Sequence, residues 1–561
     1  MTTSVCDQAS SVRRPGRAWT VVRRRVHRGR RALAALAVIA LAGLTASPAE
    51  AASYVPITGS GSTWSANALQ QWAANVRQSG ITVNFSATGS SQGRKDFYNS
   101  QVDFAVSEIP YGLTDNGVVD IPPTRGYAYM PIVAGGTSFM YNLKIGTKQV
   151  RNLRLSGDTV TKIFTGQIKL WNDPAIKQDN PALTLPARKI IPVVRSDGSG
   201  TTAQFTLWMS KQYPSLWNAY CKKAGRSTPC GLTSIYPVVA NSGFTAQAGS
   251  TQVAGYVAQP SSVGAITYVE YSYAQNEGFP VAKLLNKANY YVSPTAKSVA
   301  VALTKAQINK DSSSSSYLTQ ILDGVYNNAD ARTYPLSSYS YMIIPTKLEP
   351  PLTTDKGYTL GTFAYYFLCG GQQQAPKLGY SPLPINLVQA GFDQVRRIPG
   401  VNAQSINIKN CNNPTFSPDG TNTLVKTAPQ PPACDKKGQT QCSDTGTPVT
   451  GGNGGGSGGG GGGGSGSGGG GSGTGAGTGA TGTTPGATSA AAIDPDTGAV
   501  ISGGDGSSTT GDVSALPVNL AGDYASQGTR KALMALAAIM LIGVTVAPPL
   551  LARRLSKGSR T

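Results

Sequence analysis

Between Thr450 and Ser489 the chain is almost entirely Gly, Ser and Thr. A run like this has almost no apolar side chains to bury and cannot form a core. It divides the 561 residues into parts that must be read separately. A less extreme polar stretch continues to about Gln527, so residues 431–529 read as a flexible tether. About 80 such residues have a root-mean-square span of roughly 50 Å.

Both ends carry addresses. Residues 13–31 hold nine arginines, followed by an apolar run, Ala32–Ala46, and then Pro48-Ala49-Glu50-Ala51-Ala52. Basic head, short apolar core and small-residue cleavage site are the order of a secretory signal. The run is too short to span a bilayer comfortably. Residues 1–51 are therefore expected to be a signal peptide, with Arg30-Arg31 leaving the general and twin-arginine export routes both open. No cysteine follows the run, so no N-terminal lipid anchor is expected. Near the other end, residues 532–552 are apolar and long enough to span a membrane as a helix. Arg553, Arg554, Lys557 and Arg560 follow without an acid, which places residues 553–561 in the cytoplasm by the positive-inside rule. The expected location is the outer face of the cytoplasmic membrane, held by a single C-terminal pass. No LPxTG-like sorting signal precedes the segment.

The net charge of +21 is mostly explained by these ends. Residues 1–51 hold nine bases and two acids, and six bases lie from Arg530 onward, leaving +8 for the exported part. A modest excess suits an anionic ligand. No dense Lys/Arg run is interleaved with aromatics, so nucleic-acid binding has no support.

Seven cysteines occur, and Cys6 leaves with the signal. The other six make disulfides the default in an oxidising compartment. Sequence neighbours suggest Cys221–Cys230 and Cys434–Cys442, leaving Cys369–Cys411, one of about fifteen possible pairings. The only histidine, His27, lies in the leader. That removes a Ser-His-Asp triad, a Cys-His pair and any His-ligated zinc site from the exported part. No metal and no cofactor is expected.

Residues 52–430 have globular composition. Ile81, Val83 and Phe85 alternate with polar residues as a strand does, while Leu69, Trp72, Ala73 and Val76 fall at helical spacing, as do Phe205, Trp208 and Met209. Short strands alternating with amphipathic helices indicate an α/β fold with mostly parallel sheets, and the length indicates two lobes. Three segments share one design, a Gly/Ser/Thr-rich turn running into a helix: GSGSTW (59–64), TGSSQG (88–93) and RSDGSGTT (195–202). Helix N-termini present unpaired N–H groups with partial positive charge, glycines allow close backbone approach, and hydroxyls add donors. Together these build an anion site without a metal. None is a nucleotide P-loop, because no lysine stands at the required position.

These segments, with VDFAVSEIPYG (102–112), VAGYVAQPSSVGAITYVEYSYA (253–274), YPLSSYSYMIIP (334–345) and APKLGYSPLP (375–384), resemble the PstS-like phosphate-binding proteins of bacterial ABC-type importers over about residues 53–400. The resemblance implies a two-lobed periplasmic-binding-protein fold with two crossovers. One lobe would combine about 53–130 with 338–430 and the other would be about 132–336, with crossings near Met130-Pro131 and Pro335. It implies donors to phosphate from Thr63, the Trp64 amide, Ser90, Arg195, Ser199, Gly200 and Thr201, with Asp197 orienting Arg195. The family's ligand-facing carboxylate is usually aspartate, and the aligned residue here is Glu108. A fixed carboxylate accepts the proton that phosphate carries near neutral pH and repels sulfate, which has none to give. A monomeric receptor that delivers phosphate to ABC permease subunits, and is not an enzyme, is the expectation. A receptor or sensor for another oxyanion, or a phosphoester-cleaving enzyme, are the alternatives.

Overall fold

The computed structural model describes residues 54–115, 117–314, 316–402, 411–417 and 419–450. The leader (1–51), the chain beyond 450 and the apolar segment 532–552 lie outside the described residues. Among the described residues no helix is long and apolar enough to cross a membrane.

The first lobe starts with β1 (Ile57–Gly61), α1 (Ala66–Arg77), β2 (Val83–Ser86), α2 (Ser90–Tyr98) and β3 (Phe104–Ser107). Strand β1 pairs in parallel with β2 on one side and β3 on the other. Helix α1 forms where the apolar spacing said it should: Leu69, Trp72 and Val76 are buried, and Trp72 stacks on Phe367 at 5.3 Å. A short hairpin follows, β4 (Thr114–Asp115) and β5 (Val118–Val119), and then the long strand β6 (Tyr127–Tyr141). The second lobe contains β7 (Ile191–Arg195), α3 (Gly200–Gln212), α4 (Pro214–Lys223), β8 (Thr245–Gln247), α5 (Gly249–Ala258), β9 (Ala265–Glu270) and α6 (Ala296–Leu303). Here β7 is parallel to both β8 and β9, and Phe205, Trp208 and Met209 bury one side of α3. Strand β10 (Ser337–Pro345) and helix α7 (Thr354–Leu368) return to the first lobe.

All eight main strands are continuous in the order β8-β7-β9-β6-β10-β3-β1-β2. Strand β6 serves both lobes. Residues 127–136 pair antiparallel with β10, and residues 137–141 pair antiparallel with β9. The change of partner thus falls between Gly136 and Thr137, beyond the Met130-Pro131 expected from sequence. Pro131 has no N–H to give to a central ladder, and the register shift opposite Ser340/Tyr341 accommodates it. At the crossing itself there is no room for side chains. A Cβ on Gly135 would lie 2.8 Å from the Trp64 ring, and one on Gly136 2.7 Å from Pro294.

Three disulfides pair Cys221 with Cys230, Cys369 with Cys411, and Cys434 with Cys442. The last reveals a correction. Residues 431–450 were expected to open the tether, but they are a packed hairpin of β11 (Thr440–Cys442) and β12 (Pro448–Thr450). Buried Arg154 of the second lobe donates from Nη1 to the carbonyls of Cys434 and Thr440, both at 3.0 Å. Lys283 pairs with Asp435 at 2.6 Å, and Gln441 donates to Asn152 O at 2.9 Å. Upstream, α8 (Thr423–Thr427) packs on α6, and Arg332 donates to Val425 O at 2.7 Å. The chain that was assigned to the first lobe as far as 430 therefore crosses back to the second lobe after Cys411.

Candidate anion-binding site

Four helix N-termini meet where the lobes face each other: α1 and α2 from the first, α3 and α5 from the second. Their leading turns hold two polar clusters, joined through the dipeptide Ser62-Thr63.

The first cluster surrounds Glu108, at the end of β3 and wholly buried. Its carboxylate accepts from Ser62 Oγ at 2.7 and 2.9 Å, from Ser90 Oγ at 2.8 Å, and from Ser340 Oγ. Gly200 N donates to Ser90 Oγ at 3.1 Å, and Gln204 Nε2 donates to Glu108 O at 2.8 Å, both across the cleft. Position 200 has to be glycine, because a Cβ there would lie 1.8 Å from Glu108 Oε2 and 2.5 Å from Ser90 Oγ. Burial pushes the Glu108 carboxyl up, and the hydrogen bonds from Ser340, Ser62 and Ser90 pull it back only in part.

The second cluster is built on Arg195, at the end of β7 and 2 % exposed. Its Nε donates to Asp197 Oδ1 at 2.6 Å, and Nη2 bonds the other carboxylate oxygen. This bidentate pair leaves Nη1 to point across the cleft at Thr63 Oγ1 (3.0 Å) and, within its own lobe, at Ser250 Oγ (3.2 Å); the two hydroxyls bond each other at 2.7 Å. Asp197 also accepts from Gly249 N at 3.0 Å. Burial would raise the Asp197 carboxyl, but hydrogen bonding and charge from Arg195 outweigh it and hold the group below its usual value. Burial likewise works against the Arg195 charge, and Asp197 more than restores it.

Thr63, Ser90, Glu108, Arg195 and Gly200 thus come together, with Asp197 placed to orient Arg195. Thr201 is buried, and its Oγ1 has no hydrogen-bond partner among the described residues. Two residues are committed locally. Ser199 uses its Oγ to cap α3 by accepting from Thr202 N at 3.1 Å, and the Trp64 amide donates to Ser62 Oγ at 3.0 Å. Sequence reasoning missed Ser62, Ser250, Ser340 and Gln204. Ser250 carried the same signal as the three turns it did find, a Gly-Ser-Thr turn (249–251) opening a helix. Ser340 carried none, since it lies inside a strand and reaches Glu108 only through the tertiary fold.

A family model described as the PBP superfamily domain matches residues 46–370. The phosphate-binding protein PstS of Pasteurella multocida is 30% identical over 335 residues, covering 59% of this chain and 88% of that protein. PstS of Xylella fastidiosa (strain Temecula1) is 31% identical over 347 residues, covering 61% and 85%. Phosphate-binding protein PstS 3 of Mycobacterium tuberculosis is 30% identical over 328 residues, covering 58% and 82%. Two lobes joined by a shared central strand, a polar site where helix N-termini converge between them, and these relatives agree: the chain belongs to the PstS-like phosphate-binding proteins of the PBP superfamily.

Proposed function

We propose that this chain binds inorganic phosphate between its lobes outside the cytoplasm and delivers it to the permease subunits of an ABC-type importer. One observation carries the reading: helix N-termini from both lobes meet between them, beside a buried arginine oriented by Asp197 and a buried carboxylate, Glu108. The helix termini and Arg195 supply positive potential and N–H donors. Thr63, Ser90, Thr201, Ser62 and Ser250 supply hydroxyls that can donate or accept. Glu108 supplies an acceptor for a ligand that brings a proton. Ser199 belongs to the cage through its backbone turn, with its hydroxyl spent on the cap. The relatives' names, phosphate-binding protein PstS, support the ligand. No catalytic step is assigned.

Calorimetry on residues 52–450, which keeps the docked hairpin, tests the reading. Phosphate should bind one to one without added metal, and sulfate and molybdate should bind far more weakly. The absence of heat with millimolar phosphate would refute the assignment.

We also propose that residues 1–51 direct export and that residues 532–552 anchor the receptor, with 553–561 in the cytoplasm. The basic-apolar order of the first segment and the length and flanking charge of the second support this. Deleting the chain from Ala532 onward should release the receptor into the surrounding medium or periplasm. Continued sedimentation with the membrane fraction would rule out this segment as the anchor.

A further inference from the structure

A third meeting of the lobes lies outside the anion site. The β4–β5 hairpin of the first lobe reaches over the cleft, and its Asp115 carboxylate contacts the second lobe. Asp115 Oδ2 accepts from Ser234 N at 2.7 Å and from Ser234 Oγ at 2.6 Å. Arg226 Nη1 stands 3.6 Å from Oδ1. Both partners are held from behind. Cys221–Cys230 staples the loop that carries Arg226 to α4, and Thr233 exchanges hydrogen bonds with Thr206 of α3 at 2.9 and 3.1 Å.

The contact is wired to the site from both sides. On the second lobe, Ser234 O accepts from Ser199 N, the cap of α3, at 2.9 Å. On the first lobe, Arg94 of α2 pairs with Asp120 in the returning arm of the hairpin and donates to Pro110 O at 2.9 Å. Helix α2 is the one whose N-terminus presents Ser90. A path of backbone and polar links therefore runs from Ser90 along α2 to Arg94 and Asp120, through the paired strands of the hairpin to Asp115, and on to Ser234 and Ser199. It can be complete only when the lobes are together.

We propose that Asp115 is a positioning residue that catches the second lobe at Ser234 and Arg226, holds the ligand-loaded form shut and so sets the rate of phosphate release. This rests on the phosphate-binding reading above. A catch made after the ligand is enclosed has little leverage on capture and a large one on escape, since loss of a closed-state contact appears mainly in the dissociation rate. An ionised acceptor with two well-aligned donors is among the stronger hydrogen-bonding arrangements.

The test uses the full chain in detergent, loaded with labelled phosphate and chased with unlabelled phosphate. Release from Asp115→Asn should be about ten-fold faster than from wild type, a typical loss for hydrogen bonds to a charged group, with association nearly unchanged. Ser234→Ala should release several-fold faster, and adding it to Asp115→Ala should bring little further change, because both act on one contact. Val118→Ser, on the exposed tip of the same hairpin, should release like wild type. Equal release rates for wild type, Asp115→Asn and Ser234→Ala would overturn the catch while leaving phosphate binding intact. An unloaded wild type would instead strike the phosphate reading itself. If Asp115→Asn melts early, the Ser234→Ala and Val118→Ser pair decides alone: faster release only in the former supports the catch, and matched rates overturn it.

Discussion

Arg195→Ala is expected to weaken phosphate binding by about 2–5 kcal/mol, the range for truncating one partner of a buried, hydrogen-bonded charge pair. This corresponds to roughly 30- to several-thousand-fold in Kd. The reason lies in how the side chain is held. Arg195 is 2 % exposed, and two of its nitrogens are fixed by Asp197. Only Nη1 is aimed at the Thr63–Ser250 pair, of which Thr63 lies across the cleft. The guanidinium thus reaches the site already ordered, and little entropy is lost when it engages a ligand. Arg195→Lys should recover only part of the loss, since an ammonium cannot bond Asp197 through one edge and face the ligand with the other. Asp197→Ala should weaken binding less than Arg195→Ala, because the charge survives and only its aim is lost. Calorimetry on the three variants checks the order. A near-wild-type Kd for Arg195→Ala would place the anion elsewhere.

The second large effect concerns ligand choice. Glu108→Gln is expected to shift the sulfate-to-phosphate preference toward sulfate by about 1–3 kcal/mol, the cost of an unmatched buried polar group. Glu108 is fully buried, and three serine hydroxyls converge on its carboxylate. As an ionised acceptor it suits a ligand oxygen that carries a proton and repels one that does not. Glutamine offers an NH₂ donor in the same volume, which a bare oxyanion can use. Glu108→Asp should keep the phosphate preference. The pH dependence follows from burial, which raises the Glu108 pKa. The ionised form, and with it the rejection of sulfate, is present above that raised value. As pH falls through it Glu108 takes up a proton and becomes a donor, so sulfate should gain at a higher pH than an ordinary glutamate would allow. In Glu108→Gln this pH dependence should vanish. Competition titrations at two pH values decide it, and an unchanged ratio in Glu108→Gln would remove Glu108 from the discrimination.

What could be read from the chain was what is contiguous in it. The turns at 59–64, 88–93 and 195–202 each hold their glycine, hydroxyl and helix start within a few residues, so they declare an N-terminus without reference to the rest of the fold. The helical faces of Leu69–Val76 and Phe205–Met209 are local in the same way. Features that depend on a distant partner were not readable. Ser340 becomes a site residue only because β10 lies beside β3, bringing it to Glu108. Pro131 looked like a break between lobes, but a bulge absorbs it and the strand runs on. Residues 431–450 have the polar, Thr-rich composition of a linker. They fold because Arg154, nearly three hundred residues earlier, supplies donors for their carbonyls and because Cys434 and Cys442 close the loop.

That docked hairpin decides how mechanical load enters the receptor. Any pull exerted from beyond residue 450 acts first on β11 and β12, then on the Arg154 and Lys283 contacts, all of which belong to the second lobe. Such a pull would therefore enter through the second lobe, while Glu108 and the Asp115 hairpin belong to the first. A load entering there would reach the second lobe before it reaches the contacts that Thr63, Ser90 and Asp115 make across the cleft.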